Sequence, residues 1–258
     1  MKTFKLFVSS SAKSQTAKWQ LMQHLARASF VPCSDGEGAD FCIAVGGDGT
    51  FLRMVRECKF DSEALYVGVN TGTLGFLQEI RETEIESFVI ALRDGLYIEQ
   101  SISYLECVGS DTEALNEFVI RDSYHRIVKL EIRVDGVLLE RFAGDGLLVC
   151  TSAGSTAYNL ALGGAYVPFE MDTMQITPIA PLNSSAYRSL INSVVTLGTS
   201  TIEIYPEHGK KLLLIADGEA QAMRFFDKIK IALSRNRIRY AKVGRRTFWE
   251  KINDKFGG

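Results

Sequence analysis

The strongest constraint on this chain is a glycine-rich run of five residues, Gly46-Gly47-Asp48-Gly49-Thr50. An apolar, strand-like segment precedes it, and an apolar segment with helical spacing follows it from Phe51. Glycines let the backbone turn tightly and approach a ligand, and the N-terminal end of a helix attracts anions. A carboxylate beside a phosphate is unfavourable unless it handles a proton or a metal. The run therefore indicates phosphate chemistry rather than phosphate storage.

The same run also has a structural interpretation, a tight strand-to-helix turn in which Asp48 is the N-cap, a position that favours Asp. A cap does not need glycines on both sides, and this observation favours the functional interpretation.

Composition limits the classes of function. The chain has 258 residues, a net charge of −2 and 46% hydrophobic residues, which is ordinary for a globular protein and argues against nucleic acid as the main partner. No apolar run reaches the roughly 18 residues of a membrane span, and no secretory signal is present, so we expect a cytoplasmic protein without membrane association. The cysteines are odd in number and scattered, which predicts reduced thiols and, with no ligand spacing among the histidines, no protein metal site.

The first hundred residues alternate strands and helices. Apolar strands are predicted at Lys5–Val8, Phe41–Val45 and Leu65–Val69. Between and after them, apolar residues recur at helical spacing, with Ser14 as an N-cap and a stop at Asp94-Gly95. This alternation predicts a Rossmann-like α/β domain with a parallel sheet over residues 1–100.

Residues 101–244 are rich in short β segments, which predicts a β-sandwich-like domain. Asp135-Gly136 and Asp217-Gly218 are hairpin signals, and one helix is predicted at Thr156–Leu162. The strands are predicted at Tyr97–Ser103, Leu115–Ile120, Val128–Val134, Val137–Phe142, Leu147–Cys150, Met174–Ile179, Thr201–Tyr205, Leu212–Ala216 and Lys228–Ala232.

Two further motifs carry polar groups. The hydroxyl-rich run Thr151–Tyr158 offers small residues and backbone groups that can read a base edge, although a helix start capped by Ser155 explains it equally well. Asn116-Glu117 lies in a strand-like segment. Such a pair usually sits on a solvated face, but it can also bind sugar hydroxyls.

In order and spacing these motifs resemble the NAD kinase family. The resemblance runs from Gly46–Thr50 through Val69–Phe76, Leu115–Glu117 and Asp145 to Tyr158-Asn159, and on to residues 178–188. The glycine-rich run alone is shared with diacylglycerol and other lipid kinases. The Asn70–Phe76 and Gly154–Tyr158 runs are typical of NAD kinases.

The resemblance implies transfer of the γ-phosphoryl group of ATP to the adenosine-ribose 2′-hydroxyl of NAD, which yields NADP. Asp48 matches the catalytic aspartate, which acts as general base. The implied phosphate loop comprises Gly46, Gly47, Gly49 and Thr50. The implied NAD-binding residues are Asp48, Gly49, Arg53, Phe76, Asn116, Glu117, Asp145, Thr156, Ala157, Tyr158, Asn159, Ala180 and Tyr187.

Individual roles follow from the same resemblance. Phe76 packs on the adenine of NAD, and Thr156 and Ala157 read its edge. Asp145 faces the nicotinamide end, and Tyr187 completes the pocket from a neighbouring subunit.

The family also implies that ATP arrives with Mg²⁺ or Mn²⁺ held by nucleotide oxygens and water, and that the protein is a homodimer or homotetramer. The chain departs from the family at Ala143, where an arginine is common, and at Glu219, where glutamine is common. A tail helix within residues 245–258 is expected to pack on the first domain and to cover Trp249. Rival interpretations are a lipid kinase of the same superfamily and a non-catalytic NAD(P)-binding protein.

Overall fold

A computed structural model of the protein describes residues 1–33, 38–72, 75–78, 80–124, 126–183, 189–207, 211–220, 224–225 and 228–257. It divides into two compact units, residues 1–102 with 237–258 and residues 103–236. The helices are α1 (Ala12–Arg27), α2 (Asp48–Glu57), α3 (Ile85–Asp94), α4 (Tyr158–Ala161) and α5 (Phe248–Phe256). The strands are β1 (Thr3–Val8), β2 (Val31–Pro32), β3 (Phe41–Gly46), β4 (Leu65–Asn70), β5 (Ile80–Arg81), β6 (Ile98–Cys107), β7 (Glu113–Ala114), β8 (Glu117–Asp122), β9 (Val128–Val134), β10 (Val137–Thr151), β11 (Thr173–Pro181), β12 (Val194–Leu197), β13 (Ile202–Pro206), β14 (Lys211–Ala216), β15 (Glu219–Ala220), β16 (Arg224–Phe225) and β17 (Ile229–Lys242).

The first unit is a parallel sheet covered by helices. Strand β3 pairs in parallel with β1 on one side and β4 on the other, and β4 also pairs in parallel with β17. Successive strand residues point to opposite faces, so Ile43 packs in one core with α1 and α3, whereas Tyr66 contacts Phe51 of α2. Both faces are therefore buried, which explains why β3 is apolar and why β4 is apolar as far as Val69.

The helix boundaries of this unit agree in part with the prediction. Helix α3 ends at Asp94, and Gly95 follows in the left-handed region with φ of 72°, as predicted. The predicted N-cap Ser14 is wrong, because the Ser11 hydroxyl accepts from the Ser14 backbone N–H at 3.2 Å and is the N-cap of α1. The Ser14 side chain is instead fully buried and shares a 2.7 Å hydrogen bond with the Thr71 hydroxyl.

The second unit is built from antiparallel strands. Strand β10 pairs with β8, β9 and β11, and β14 and β13 extend the pairing from β8 and β9. The hairpin predicted at Asp135-Gly136 joins β9 to β10, with φ of 51° and 80°, and the one at Asp217-Gly218 joins β14 to β15, with φ of 46° and 81°. Both hairpin predictions are confirmed.

Two predictions in this unit need correction, and one four-residue strand was missed. Residues 137–151 form one continuous strand rather than two, because Gly144 and Gly146 lie in extended backbone that remains paired on both sides. The helix predicted at Thr156–Leu162 is a single turn, α4, preceded by a short 3-10 segment at Ala153–Thr156. Strand β12 was not predicted.

The predicted fold class, an α/β unit plus a β-rich unit, is confirmed. Among the described residues, no helix is both long enough and apolar enough to cross a bilayer.

Candidate active site

In the first unit the glycine-rich run joins β3 to α2. Gly47 is the N-cap and Asp48 is the first helical residue, so the alternative in which Asp48 caps the helix is wrong. Gly46 is required by packing, because a β-carbon there would overlap the Thr50 hydroxyl. Around Gly47 and Gly49, in contrast, the space a β-carbon would occupy is open. The run is therefore tight toward the sheet and open on its other side.

The Asp48 carboxylate is held by backbone donors. Its Oδ2 accepts from the Phe76 N–H at 3.0 Å, and its Oδ1 accepts from the Leu77 N–H at 3.2 Å. The approach depends on Gly75, where a β-carbon would overlap the carboxylate. Each oxygen keeps a further lone pair for another partner. The carboxylate is thus fixed in direction without being saturated.

A residue that the sequence did not single out ties these segments together. Gln78 is fully buried, and its Nε2 donates to the Gly47 carbonyl at 2.6 Å. The Thr71 N–H donates to the Gly46 carbonyl at 3.1 Å. A polar residue between apolar Leu77 and Ile80 was the available signal for Gln78, but its partner lies 31 residues away in sequence. The turn after β4 is therefore built onto the glycine-rich run.

Arg53 and Phe76 make contacts with the protein itself. The Arg53 Nη2 donates to the Val8 carbonyl at 2.9 Å, and its Nε lies 3.7 Å from the Glu57 carboxylate. These contacts favour a structural role for Arg53, and its contact with a phosphate stays a prediction. The Phe76 ring is 6% exposed and packs against Phe248 of α5, with ring centroids 6.0 Å apart. Its contact with adenine also stays a prediction.

Helix α5 contacts the turn that bears Phe76. Its own residue Trp249 is not buried by this packing, because the side chain is 62% exposed. The expectation that this tryptophan is covered is wrong. The buried face of α5 is instead formed by Phe248 and Lys251.

A cavity of about 440 Å³ opens at the carboxyl end of β4 in the same unit. It is lined by Lys13, Asn70, Thr71, Gly72, Arg81, Glu82 and Thr83. Ligands of open α/β sheets bind at the carboxyl ends of the strands. The lining offers two cationic side chains and one carboxylate beside hydroxyl and amide groups, and the excess of positive charge suits an anionic ligand.

In the second unit, one carboxylate organises the predicted sugar-binding pair. Asp217 accepts backbone N–H groups from Leu115 and Asn116 at 2.7 Å each, and from Glu117 at 3.1 Å. Asn116 and Glu117 are only 7% and 8% exposed, so the interpretation that places them on a solvated face is wrong.

The side chains of this pair keep unused polar atoms. Asn116 Oδ1 and Glu117 Oε2 are buried and have no hydrogen-bond partner among the described residues. Burial, reinforced by the negative charge of Asp217, raises the pKa of Glu117 to about 8. Buried polar atoms are normally paired, so two orphans on consecutive residues indicate a place where a polar ligand binds.

The hydroxyl-rich run packs directly against this pair. The Thr151 hydroxyl donates to the Leu115 carbonyl at 2.7 Å, and the Thr151 N–H donates to the Asn116 carbonyl at 2.9 Å. A β-carbon at Gly154 would overlap the Asn116 backbone, so the close approach requires glycine. Thr156 and Ala157 are half-buried at the end of this turn.

Three other residues of the run have protein partners. Ser155 is not an N-cap, because its hydroxyl donates to the Val167 carbonyl at 2.9 Å. The Tyr158 hydroxyl accepts from Arg121 Nη2 at 2.6 Å. Asn159 is fully buried, its Nδ2 donates to the Ser155 carbonyl and its Oδ1 accepts from the Thr177 hydroxyl. These bonds favour a structural role, and its contact with NAD stays a prediction.

Asp145 and Ala180 lie side by side on neighbouring strands. The register pairs Gly144 with Pro181 and Gly146 with Ile179, which places exposed Asp145 beside exposed Ala180. Ala180 has φ of 44°, a left-handed conformation that a non-glycine residue rarely adopts and that is enriched at functional sites.

The remaining predicted positions differ in character. Ala143 is fully buried, and its carbonyl accepts from the Leu182 N–H at 2.7 Å. Its methyl side chain supplies no positive charge at the position where an arginine is expected from the resemblance. Glu219 is exposed on β15. Tyr187 lies outside the described residues. Within those residues, no group of three or more His, Cys, Asp or Glu side chains is arranged to hold a metal ion.

Comparison with known proteins shows that each of the two units matches a known domain family. The family model of the ATP-NAD kinase N-terminal domain matches residues 3–97, and that of the C-terminal domain matches residues 115–243. The NAD kinase of Finegoldia magna is 37% identical over 99% of this chain and 98% of its own length. An NAD kinase of Streptococcus pneumoniae is 30% identical over 100% of this chain and 97% of its own.

Solved structures show the same fold. A yeast NADH kinase complexed with NADH superposes with a TM-score of 0.85 at 21% identity, over 100% of this chain and 88% of that one. An NAD kinase from Archaeoglobus fulgidus in complex with ATP gives 0.81 at 24% identity, over 98% and 99%. Together with the matches to both family models, these likenesses lead to one conclusion: the chain belongs to the NAD kinase family.

Proposed function

We propose that this protein is an NAD kinase that transfers the γ-phosphoryl group of ATP to the adenosine-ribose 2′-hydroxyl of NAD. The observation that carries the proposal is the Asp48 carboxylate, oriented by the Phe76 and Leu77 N–H groups at the open side of a glycine-rich turn. Family membership supplies the substrates, and the geometry supplies a base.

Asp48 accepts the proton of the ribose hydroxyl as the new oxygen–phosphorus bond forms. Phosphoryl transfer needs little covalent chemistry from the protein, so catalysis rests on positioning and on balancing charge. A carboxylate that two N–H donors already orient needs little reorientation during the reaction, so the free-energy cost of reorganisation is small. The first turn of α2 provides partial positive charge beside the phosphates.

Residues of the second unit bind the dinucleotide in this proposal. The orphan atoms Asn116 Oδ1 and Glu117 Oε2 suit ribose hydroxyls, which both donate and accept. Thr156 and Ala157 read the adenine edge. Strained Ala180 and exposed Asp145 line the nicotinamide side.

The donor is ATP with a bound Mg²⁺ or Mn²⁺, which enters as part of the substrate and neutralises phosphate charge. The cavity with Lys13 and Arg81 is our candidate site for the phosphates of the donor, because both cationic side chains line this cavity of about 440 Å³.

The proposed assembly is a homodimer or homotetramer, which light scattering tests. The five cysteines, odd in number and scattered along the sequence, favour a reducing, cytoplasmic compartment.

The test is to incubate the purified protein with NAD, ATP and Mg²⁺ and to measure NADP with an NADP-specific dehydrogenase. We expect NADP from the wild-type protein and turnover about a thousandfold slower from Asp48→Asn, which keeps its affinity for NAD in calorimetry. Phosphorylation of diacylglycerol without NADP would overturn the proposal. Lost NAD binding with normal turnover in Asp48→Asn would remove the base role.

A further inference from the structure

Helix α5 contains a buried lysine. Lys251 is 2% exposed, and lysine is rarely buried because its ammonium group gives up its hydration. The Lys251 Nζ donates to the Phe76 carbonyl at 2.8 Å. The start of the helix is fixed by a reciprocal capping box between Thr247 and Glu250, so the lysine is presented from a defined first turn.

The carbonyl that Lys251 holds belongs to a peptide group that also contacts Asp48. The Phe76 carbonyl and the Leu77 N–H form one planar unit, and that N–H donates to Asp48 Oδ1 at 3.2 Å. In a trans peptide the C=O and N–H point in opposite directions, so fixing the oxygen also fixes the direction of the N–H. A cation on the carbonyl further polarises the peptide, which strengthens the hydrogen bond that its N–H donates.

The same helix holds the Phe76 side chain. The rings of Phe248 and Phe256 lie 6.0 and 6.4 Å from the Phe76 ring, centroid to centroid. The ring is therefore held from one side while Lys251 holds the backbone carbonyl. The turn that orients Asp48 has little freedom to rotate away.

We propose that Lys251 is a positioning residue for phosphoryl transfer, which acts by orienting the Phe76–Leu77 peptide group and through it the Asp48 carboxylate. Lys251 does not contact the reacting atoms in this scheme. The inference rests on the proposed function, because it assumes that Asp48 is the base.

The central experiment compares Lys251→Met with Lys255→Met. Lys255 is on the same helix, and its Nζ lies 4.7 Å from the Phe76 ring centroid, so the control removes a cation near Phe76 without removing the bond to its carbonyl. We expect Lys251→Met to lower kcat at least tenfold with KM for ATP within twofold, and Lys255→Met to keep kcat within twofold. Hydrogen exchange at the Phe76 and Leu77 amides should accelerate at least tenfold in Lys251→Met only.

A double-mutant cycle separates positioning from a general structural role. If Lys251 acts through Asp48, then Lys251→Met should not reduce the residual turnover of Asp48→Asn further. An equal loss in both backgrounds, or a kcat within twofold of wild type in Lys251→Met, overturns the inference. Far-UV circular dichroism checks the fold. If Lys251→Met does not fold, Lys251→Gln replaces it, because this shorter, uncharged side chain also removes the cation from the Phe76 carbonyl and should lower kcat in the same way.

The two proposals fail in different ways. Absence of NADP with the wild-type protein removes the proposed function. NADP formation that is insensitive to Lys251→Met, with unchanged exchange at Phe76 and Leu77, removes only the positioning role.

Discussion

The buried carboxyl of Glu117 makes the stability of the protein depend on pH in a way that one substitution can remove. Folding raises the pKa of this group from an ordinary value of 4.5 to about 8, mainly through burial. The folded state therefore favours the protonated form. The stability that this preference contributes is complete below about pH 4.5, and it is lost as the pH rises through about 8.

The size of the effect follows from the two pKa values. One pKa unit corresponds to about 1.4 kcal/mol, so between pH 5 and pH 7 the wild-type protein should lose roughly 2–3 kcal/mol through this carboxyl. In Glu117→Gln the neutral amide replaces the protonated acid, and this loss should disappear. The difference in free energy of unfolding between variant and wild type should therefore grow with pH across that interval, because all other titrating groups are shared.

The assay is urea denaturation of the ligand-free protein at half-unit steps from pH 5 to pH 8.5. Glu170→Gln, which removes an exposed carboxylate from the same unit, is the matched control. A difference for Glu117→Gln that stays constant within about 0.5 kcal/mol over this range would refute the reasoning. As a second check, Asp217→Asn removes the neighbouring charge, so it should lower the pKa of Glu117 and move the steep region to lower pH.

Three further predictions concern the first unit. Gly75→Ala places a β-carbon against the Asp48 carboxylate, so kcat for NADP formation should fall about a hundredfold with the fold retained, and a normal kcat would contradict the close approach. Replacing Lys13 and Arg81 by glutamine should raise KM for ATP about tenfold for each charge removed and leave KM for NAD unchanged, and an unaltered KM for ATP would exclude the cavity as the donor site. Arg53→Met should lower the unfolding free energy by about 1 kcal/mol through the lost bond to the β1 carbonyl, whereas a large rise in KM for a substrate would restore the phosphate contact.

Features encoded by local sequence were predictable. The end of α3 at Gly95 and the Asp135-Gly136 hairpin follow from residues whose backbone conformation is nearly forced by their type. The glycine-rich run marked the position of Asp48 because its strand, turn and helix are consecutive in sequence. In these places the determining residues and the structure they determine lie within a few positions of one another.

Features determined by distant partners were not predictable. The donors to Asp48 come from Phe76 and Leu77, 28 and 29 residues later, and the partner of Gln78 lies 31 residues earlier, so local sequence does not reveal either contact. Asn116 and Glu117 resemble surface residues of a strand because polarity normally indicates exposure, and their burial depends on the fold around them. Strand β10 was split in the prediction because its central glycines usually mark a break.

The three hydrogen bonds that Asp217 accepts also affect when the proposed ribose pair can fold during synthesis of the chain. Residues 115–117 are held by a carboxylate about 100 positions later in the chain. A nascent chain that has emerged only as far as β13 therefore contains every residue of the proposed ribose pair but not the group that holds its backbone in place. Contacts of such long sequence separation also form late in refolding, since the loop between them must close first. Affinity for the dinucleotide should consequently appear only after β14 has paired with β8, which makes nucleotide binding a late reporter of folding.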